Sequence, residues 1–156
     1  MKRLLLAGVL LLSACGGGST AKDWASLEVQ NVASGQTTVM KAVLKDKPTF
    51  ITLWSVTCQP CRREMPWLQE IASNNDKFDV LGVNIGDDLD AIQEFVSEIK
   101  VTFPMYRDEL GDMLTALNVT QVPVTFAVNS KGEIVWKNLG AMTLNDLQAQ
   151  LAKMQG

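Results

Sequence analysis

No histidine occurs among the 156 residues. Imidazole acid–base chemistry and imidazole metal ligands are therefore excluded. Cysteine is scarce as well, limited to Cys15, Cys58 and Cys61. A zinc site built on the close pair would need two further ligands, and the third cysteine is assigned elsewhere below. Basic residues are not in excess: 14 Lys+Arg stand against 17 Asp+Glu, a net charge of −3. That balance offers no electrostatic footprint for nucleic acid, and none is expected as a partner. Long apolar runs are few. The clearest, residues 4–12, is too short to span a bilayer comfortably. What remains is 47% hydrophobic and 20% charged, the make-up of one globular domain and not of a disordered chain.

The short apolar run has a context. Lys2 and Arg3 precede it, and it ends in Leu12-Ser13-Ala14-Cys15-Gly16. This pattern reads as a bacterial lipoprotein signal, with residues 1–14 removed and Cys15 carrying the lipid. An ordinary secretory signal that leaves Cys15 free is the alternative. Cysteine arithmetic favours the lipid, because a lone exposed thiol is a liability in an oxidising compartment. Cleavage before Cys15 would remove Lys2 and Arg3, leaving 12 basic against 17 acidic residues and a net charge of −5. Membrane attachment would then depend on acyl chains and not on charge. Gly16-Gly17-Gly18-Ser19-Thr20 reads as flexible, so residues 15–25 are expected to form a lipidated tether and 26–156 the folded domain.

The centre of the chain carries the chemistry. The run 48–54 has strand composition and is followed by Cys58-Gln59-Pro60-Cys61. Beyond it, Cys61, Met65, Leu68 and Ile71 recur at helical spacing. Two cysteines three apart at a helix start lie on one face, one turn apart, a spacing that suits a reversible disulfide. The unpaired N–H groups and positive dipole end of the helix would stabilise a thiolate on Cys58. Pro60 falls in the first turn, where its missing N–H costs little, whereas Pro66 should kink the helix. Half of a zinc site and an inert structural disulfide are the competing readings.

The flanking segments fit an α/β domain. Residues 26–45 read as a hairpin turning at Ser34-Gly35-Gln36, and 78–85 as a second buried strand. Gly86-Asp87-Asp88 reads as a turn and helix cap, followed by an amphipathic helix over 89–100. Strand, helix and strand at this spacing imply parallel pairing. Asp87, Asp88 and Asp90 read as a helix start favoured by the macrodipole in preference to a metal cluster. Residues 110–117 suggest a short helix, and Asn118-Val119-Thr120, although a glycosylation sequon, is discounted in a bacterial-looking lipoprotein. Pro123 introduces the strand 124–128. Asn129-Ser130-Lys131-Gly132 turns into a strand over 133–139. Thr143 to Asp146 has a capping-box pattern opening the last helix, with Leu144, Leu147, Leu151 and Met154 as its buried stripe. Met40, Met113, Trp67 and Trp136 read as packing residues.

Trp54, Cys58, Pro60, Cys61 and Pro66 together resemble the thioredoxin superfamily, and Glu64 with Pro66 resembles its TlpA/ResA-like, membrane-tethered thiol–disulfide oxidoreductases. The resemblance runs from about Ser26 to the C-terminus. It implies a three-layer α/β/α sandwich around a mixed sheet, with an N-terminal β-hairpin and a central insert at 101–108. It also implies that Pro123 is cis and that Val122 offers backbone groups to an extended substrate. Trp54, Gln59 and Pro60 would complete the substrate-binding surface. Thioredoxins place a buried carboxylate where this chain has Thr52, so the proton relay for Cys61 would fall to Glu64. A surface Glu64 paired with a neighbouring arginine is the alternative. Thr57 stands where the family usually has tryptophan.

The function implied is a lipid-anchored oxidoreductase on the periplasmic side of the bacterial cell envelope. It would act as a reductant of protein disulfides, including those of apocytochrome c, and draw electrons from a membrane thiol reductase. No cofactor is implied beyond the redox-active Cys58–Cys61 pair. An oxidant or isomerase role and a non-catalytic binding lipoprotein stay open. A copper chaperone of this fold would use CxxxC and a distal histidine, which the chain lacks.

Overall fold

The computed structural model describes residues 23–155. The leader at 1–14, Cys15 and most of the tether expected over 15–25 lie outside the described residues.

Seven strands form one mixed sheet: β1 (Glu28–Asn31), β2 (Thr37–Val39), β3 (Thr49–Trp54), β4 (Asp79–Ile85), β5 (Met105–Asp108), β6 (Val124–Val128) and β7 (Ile134–Leu139). Their order is β2-β1-β5-β4-β3-β6-β7. The pairs β3–β4 and β4–β5 are parallel and the remaining neighbours antiparallel. All six residues of β3 are buried, as expected of a strand covered on both faces.

Alternation along β3 builds two cores. Phe50 and Trp54 face one side, where α2 (Gln59–Ser73), α3 (Leu89–Ile99) and α5 (Leu144–Gln155) supply Met65, Leu68, Ile92, Phe95 and Leu147. Ile51 and Leu53 face the other, against Met40 of α1 (Met40–Val43) and Met113 of α4 (Asp112–Ala116). The three layers are those the resemblance implied. Packing starts slightly before the boundary at 26, because Trp24 meets Phe126 edge-on with ring centroids 5.3 Å apart. Met40, Met113, Trp67 and Trp136 all pack into or against the two cores.

Several local expectations are refined. Residues 105–108, expected within an insert, are a sheet strand held between β1 and β4, with Gln30 opposite Arg107 and Asn84 beside it. Asp88 stands at the N-cap of α3 but makes no side-chain cap bond. The last helix does open on reciprocal bonds: Asp146 N–H donates to Thr143 Oγ1 at 3.2 Å and Thr143 N–H to Asp146 Oδ2 at 2.9 Å.

Gly82 lies in the middle of β4, opposite Thr52 of β3 and Met105 of β5. A Cβ there would run into the Met105 sulfur and come within 3.2 Å of Trp54 Nε1. Met105 is itself buried, so it can yield only by disturbing its neighbours. Gly82→Ala is therefore expected to cost about 1–3 kcal/mol of stability through overpacking. An unchanged urea midpoint would show that Met105 moves aside freely.

Candidate active site

β3 ends at Trp54, and after four intervening residues the chain enters α2 at Gln59. Cys58 is the N-cap of α2, in extended conformation, and its sulfur accepts a hydrogen bond from Cys61 N–H at 3.2 Å. Cys58 and Cys61 are joined as a disulfide. The two sulfurs differ in access. Cys58 is half-buried, whereas Cys61 is 1% exposed and belongs to the core. Pro60 has no N–H to offer, so the backbone donor that reaches the accessible sulfur is Cys61 N–H, at the positive end of the helix dipole. Exposed Gln59 and half-buried Pro60 flank it. Pro66 lies on the solvent side of the same helix.

The Val122–Pro123 peptide is cis. Leu53 pairs with Val124, so Pro123 comes beside Trp54 at the sheet end from which the cysteine loop departs. Val122 is half-buried and packs against both cores, while the Pro123 carbonyl accepts Gly140 N–H at 2.9 Å.

Glu64 lies one turn beyond Cys61 and is 1% exposed. Thr125 Oγ1 donates to Glu64 Oε1 at 3.1 Å, and Met142 N–H donates to Oε2 at 3.2 Å. Thr125 Oγ1 is also 3.2 Å from Thr52 Oγ1, across the β3–β6 pairing. Desolvation pushes the Glu64 carboxyl above its ordinary value, against the opposing pull of the Met142 and Thr125 hydrogen bonds. The surface reading of Glu64 therefore falls. The neighbouring Arg62 pairs instead with Glu98 through bonds of 3.0 and 3.2 Å, and it lies 4.5 Å from the Phe95 ring centroid.

One expected substrate contact is corrected. Trp54 is 0% exposed, with its ring tilted on Phe95 at 4.8 Å between centroids. It forms the floor of the site and offers no surface to a partner. Its strand is covered on both faces, so the inward position that resembles an active-site tryptophan leads into the core.

Other site residues were not singled out from the sequence. Thr125 and the Met142 backbone hold Glu64, and Asp87, read only as part of a helix start, bonds to the loop before Cys58. Weak signals existed. Asn84 interrupts an apolar strand, and Thr52 and Thr125 each interrupt one.

Residues 18–151 match the Redoxin family. The chain is 31% identical over 113 residues to the thiol-disulfide oxidoreductase ResA of Geobacillus kaustophilus (strain HTA426), covering 71% of this chain and 65% of that protein. It is 28% identical over 140 residues to the thiol-disulfide oxidoreductase ResA of Geobacillus thermodenitrificans (strain NG80-2), covering 88% of this chain and 78% of that protein. The chain thus spans about two thirds of the first relative's length. Among solved structures, a secreted Mycobacterium tuberculosis disulfide oxidoreductase homologous to E. coli DsbE superposes with a TM-score of 0.72 and 25% identity, over 85% of this chain and 98% of that one.

Proposed function

The chain belongs to the Redoxin family, and from that premise we propose that it is a thiol–disulfide oxidoreductase that reduces disulfides in exported proteins. One observation carries the reading: a Cys58–Cys61 disulfide at a helix N-terminus, with one sulfur accessible and the other buried.

In the reduced protein, the Cys58 thiolate attacks one sulfur of a substrate disulfide. A bond forms between Cys58 and that sulfur, and the substrate's other sulfur leaves as a thiolate and is protonated. Cys61 then gives up its proton and attacks Cys58 Sγ. This closes the Cys58–Cys61 bond and releases the second substrate thiol. Two electrons pass to the substrate, and the protein ends in the disulfide form. Glu64, neighbouring Cys61 on α2, takes the proton when Cys61 attacks. An extended substrate lies along the backbone of half-buried Val122, flanked by Gln59 and Pro60, with buried Pro123 fixing the turn of that backbone.

The cycle restarts when a membrane thiol reductase returns two electrons to the pair. The leader 1–14 directs export, and lipid on Cys15 anchors the domain on the periplasmic side of the bacterial cell envelope. Oxidised apocytochrome c is a substrate of the expected kind.

Insulin reduction and the potential of the Cys58–Cys61 couple test the reading, on protein carrying Cys15→Ala so that the pair is the only thiol chemistry present. Reduction of insulin with a potential near thioredoxin's, about −270 mV, is expected. A value near −120 mV would reverse the direction, and no reversible couple would remove the activity. Radiolabelled fatty acid should enter the unsubstituted chain and be lost in Cys15→Ala.

A further inference from the structure

The acidic run at the start of α3 divides. Asp88 and Asp90 stay at the helix end, while Asp87 bonds to the loop that carries Cys58. Val56 N–H and Asn84 Nδ2 each donate to Asp87 Oδ2 at 2.7 Å. Ser55 Oγ donates to Oδ1 at 3.3 Å. Asp87 is itself held from the sheet. Its N–H donates to Asn84 Oδ1 at 3.0 Å, and its carbonyl accepts Arg107 Nε at 2.7 Å. Trp54, Asn84 and Arg107 stand side by side on the three parallel strands, so this support is a rigid sheet end.

The loop has its own bonds. Cys58 N–H donates to the Ser55 carbonyl at 3.1 Å, and Thr57 N–H to Ser55 Oγ at 3.3 Å. Both close within the turn and leave it free to swing as a unit. The Val56 bond runs instead to a residue 31 positions away. It is short, has a carboxylate acceptor, and belongs to the stronger class of hydrogen bond.

We propose that Asp87 is a positioning residue for Cys58: its carboxylate clamps the turn 55–58 to the sheet end and so sets where the reacting sulfur stands. The proposal rests on the reading of Cys58–Cys61 as a reversible couple. The clamp matters most in the reduced protein. In the oxidised protein the disulfide adds a covalent restraint on the turn, whereas in the dithiol the turn is held by hydrogen bonds and by the packing of Val56 and Cys58 on the core. Loss of the clamp therefore frees the reduced state more than the oxidised state and shifts the equilibrium toward the dithiol.

The test is the equilibrium of the pair with dithiothreitol, in the full chain carrying Cys15→Ala. Asp87→Ala should weaken the Cys58–Cys61 disulfide about tenfold, the scale of one charged hydrogen bond and ~30 mV for two electrons. Asp87→Asn keeps an oxygen for Val56 N–H and should stay within about threefold of the parent. An unmoved equilibrium in Asp87→Ala, even with a lowered melting temperature, would overturn the proposal, since a merely structural residue behaves that way. Equal shifts in Asp87→Ala and Asp87→Asn would overturn it as well, because charge and not the bond would then be the cause. If Asp87→Ala does not fold, Ser55→Ala, which removes the Oδ1 bond together with the Thr57 N–H bond inside the turn, should give a shift of the same sign, and no shift there overturns the clamp. Insulin reduction measured in parallel separates the two readings. A protein inert toward insulin whose dithiothreitol equilibrium still responds to Asp87 would sink the proposed activity and leave the clamp standing.

Discussion

Cys58→Ser should abolish insulin reduction, by at least about a thousandfold, while Cys61→Ser should arrest the protein as a covalent adduct with its substrate. The asymmetry follows from where the sulfurs lie. Cys58 caps α2 with partial access to solvent, and Cys61 is buried in the core beneath it. A macromolecular disulfide can reach only the first. Serine at position 58 would place an alcohol at the helix end, where the dipole lowers a thiol's pKa to a useful range but leaves an alcohol protonated. No histidine exists to activate it. With serine at 61, the first exchange proceeds and the second cannot, so the Cys58–substrate disulfide persists. Insulin turbidity reads the first variant, and intact mass under non-reducing conditions reads the second. Residual turnover in Cys58→Ser, or an adduct that resolves in Cys61→Ser, would mean that the roles of the two sulfurs are misassigned.

The parts of the fold that were legible in the sequence rest on contacts between near neighbours. The β3–α2 junction declares itself through a strand-like run, two cysteines one turn apart and Pro60 in the first helical turn. The turn at 129–132 closes with Gly132 N–H donating to the Asn129 carbonyl at 3.0 Å, and Asp146 answers Thr143 within one turn. What was missed depends on distant partners. Within the segment that resembles the family's insert, the pairing of β5 with β1 joins Gln30 to Arg107, which no local pattern encodes. The resemblance alone gives Trp54 to the substrate surface, and a strand buried on both faces has no polar alternation to show otherwise. Glu64 adjoins the apolar stripe of α2, next to Met65, so its helical position is compatible with either environment. Its burial is settled by Thr125 and Met142, 61 and 78 residues away. Asp87 had an adequate local explanation as a helix-start acid, and that explanation concealed a bond across 31 residues.

Glu64→Gln should slow the step in which Cys61 attacks by about a hundredfold near neutral pH, the lower range for removing a proton acceptor. It should also erase one limb of the pH–rate profile. Burial raises the carboxyl above its ordinary 4.5, so in the folded protein the acceptor form is populated only at higher pH. Parent activity should therefore climb as pH rises through the folded-state value, and the glutamine variant should lack that climb. Stability carries an independent signature of the same group. The folded state holds the Glu64 proton more tightly than the unfolded chain. Its contribution is thus complete below about 4.5 and declines as pH rises toward the folded-state value, beyond which the slope ends. Urea unfolding of the two proteins over that window should diverge in slope, with the parent losing stability relative to the variant as pH increases. A pH–rate profile unchanged by Glu64→Gln would remove Glu64 from the proton path and leave it a buried acid that only packs the site. A stability slope that persists without Glu64 would instead point to Asp108, whose carboxyl burial also raises.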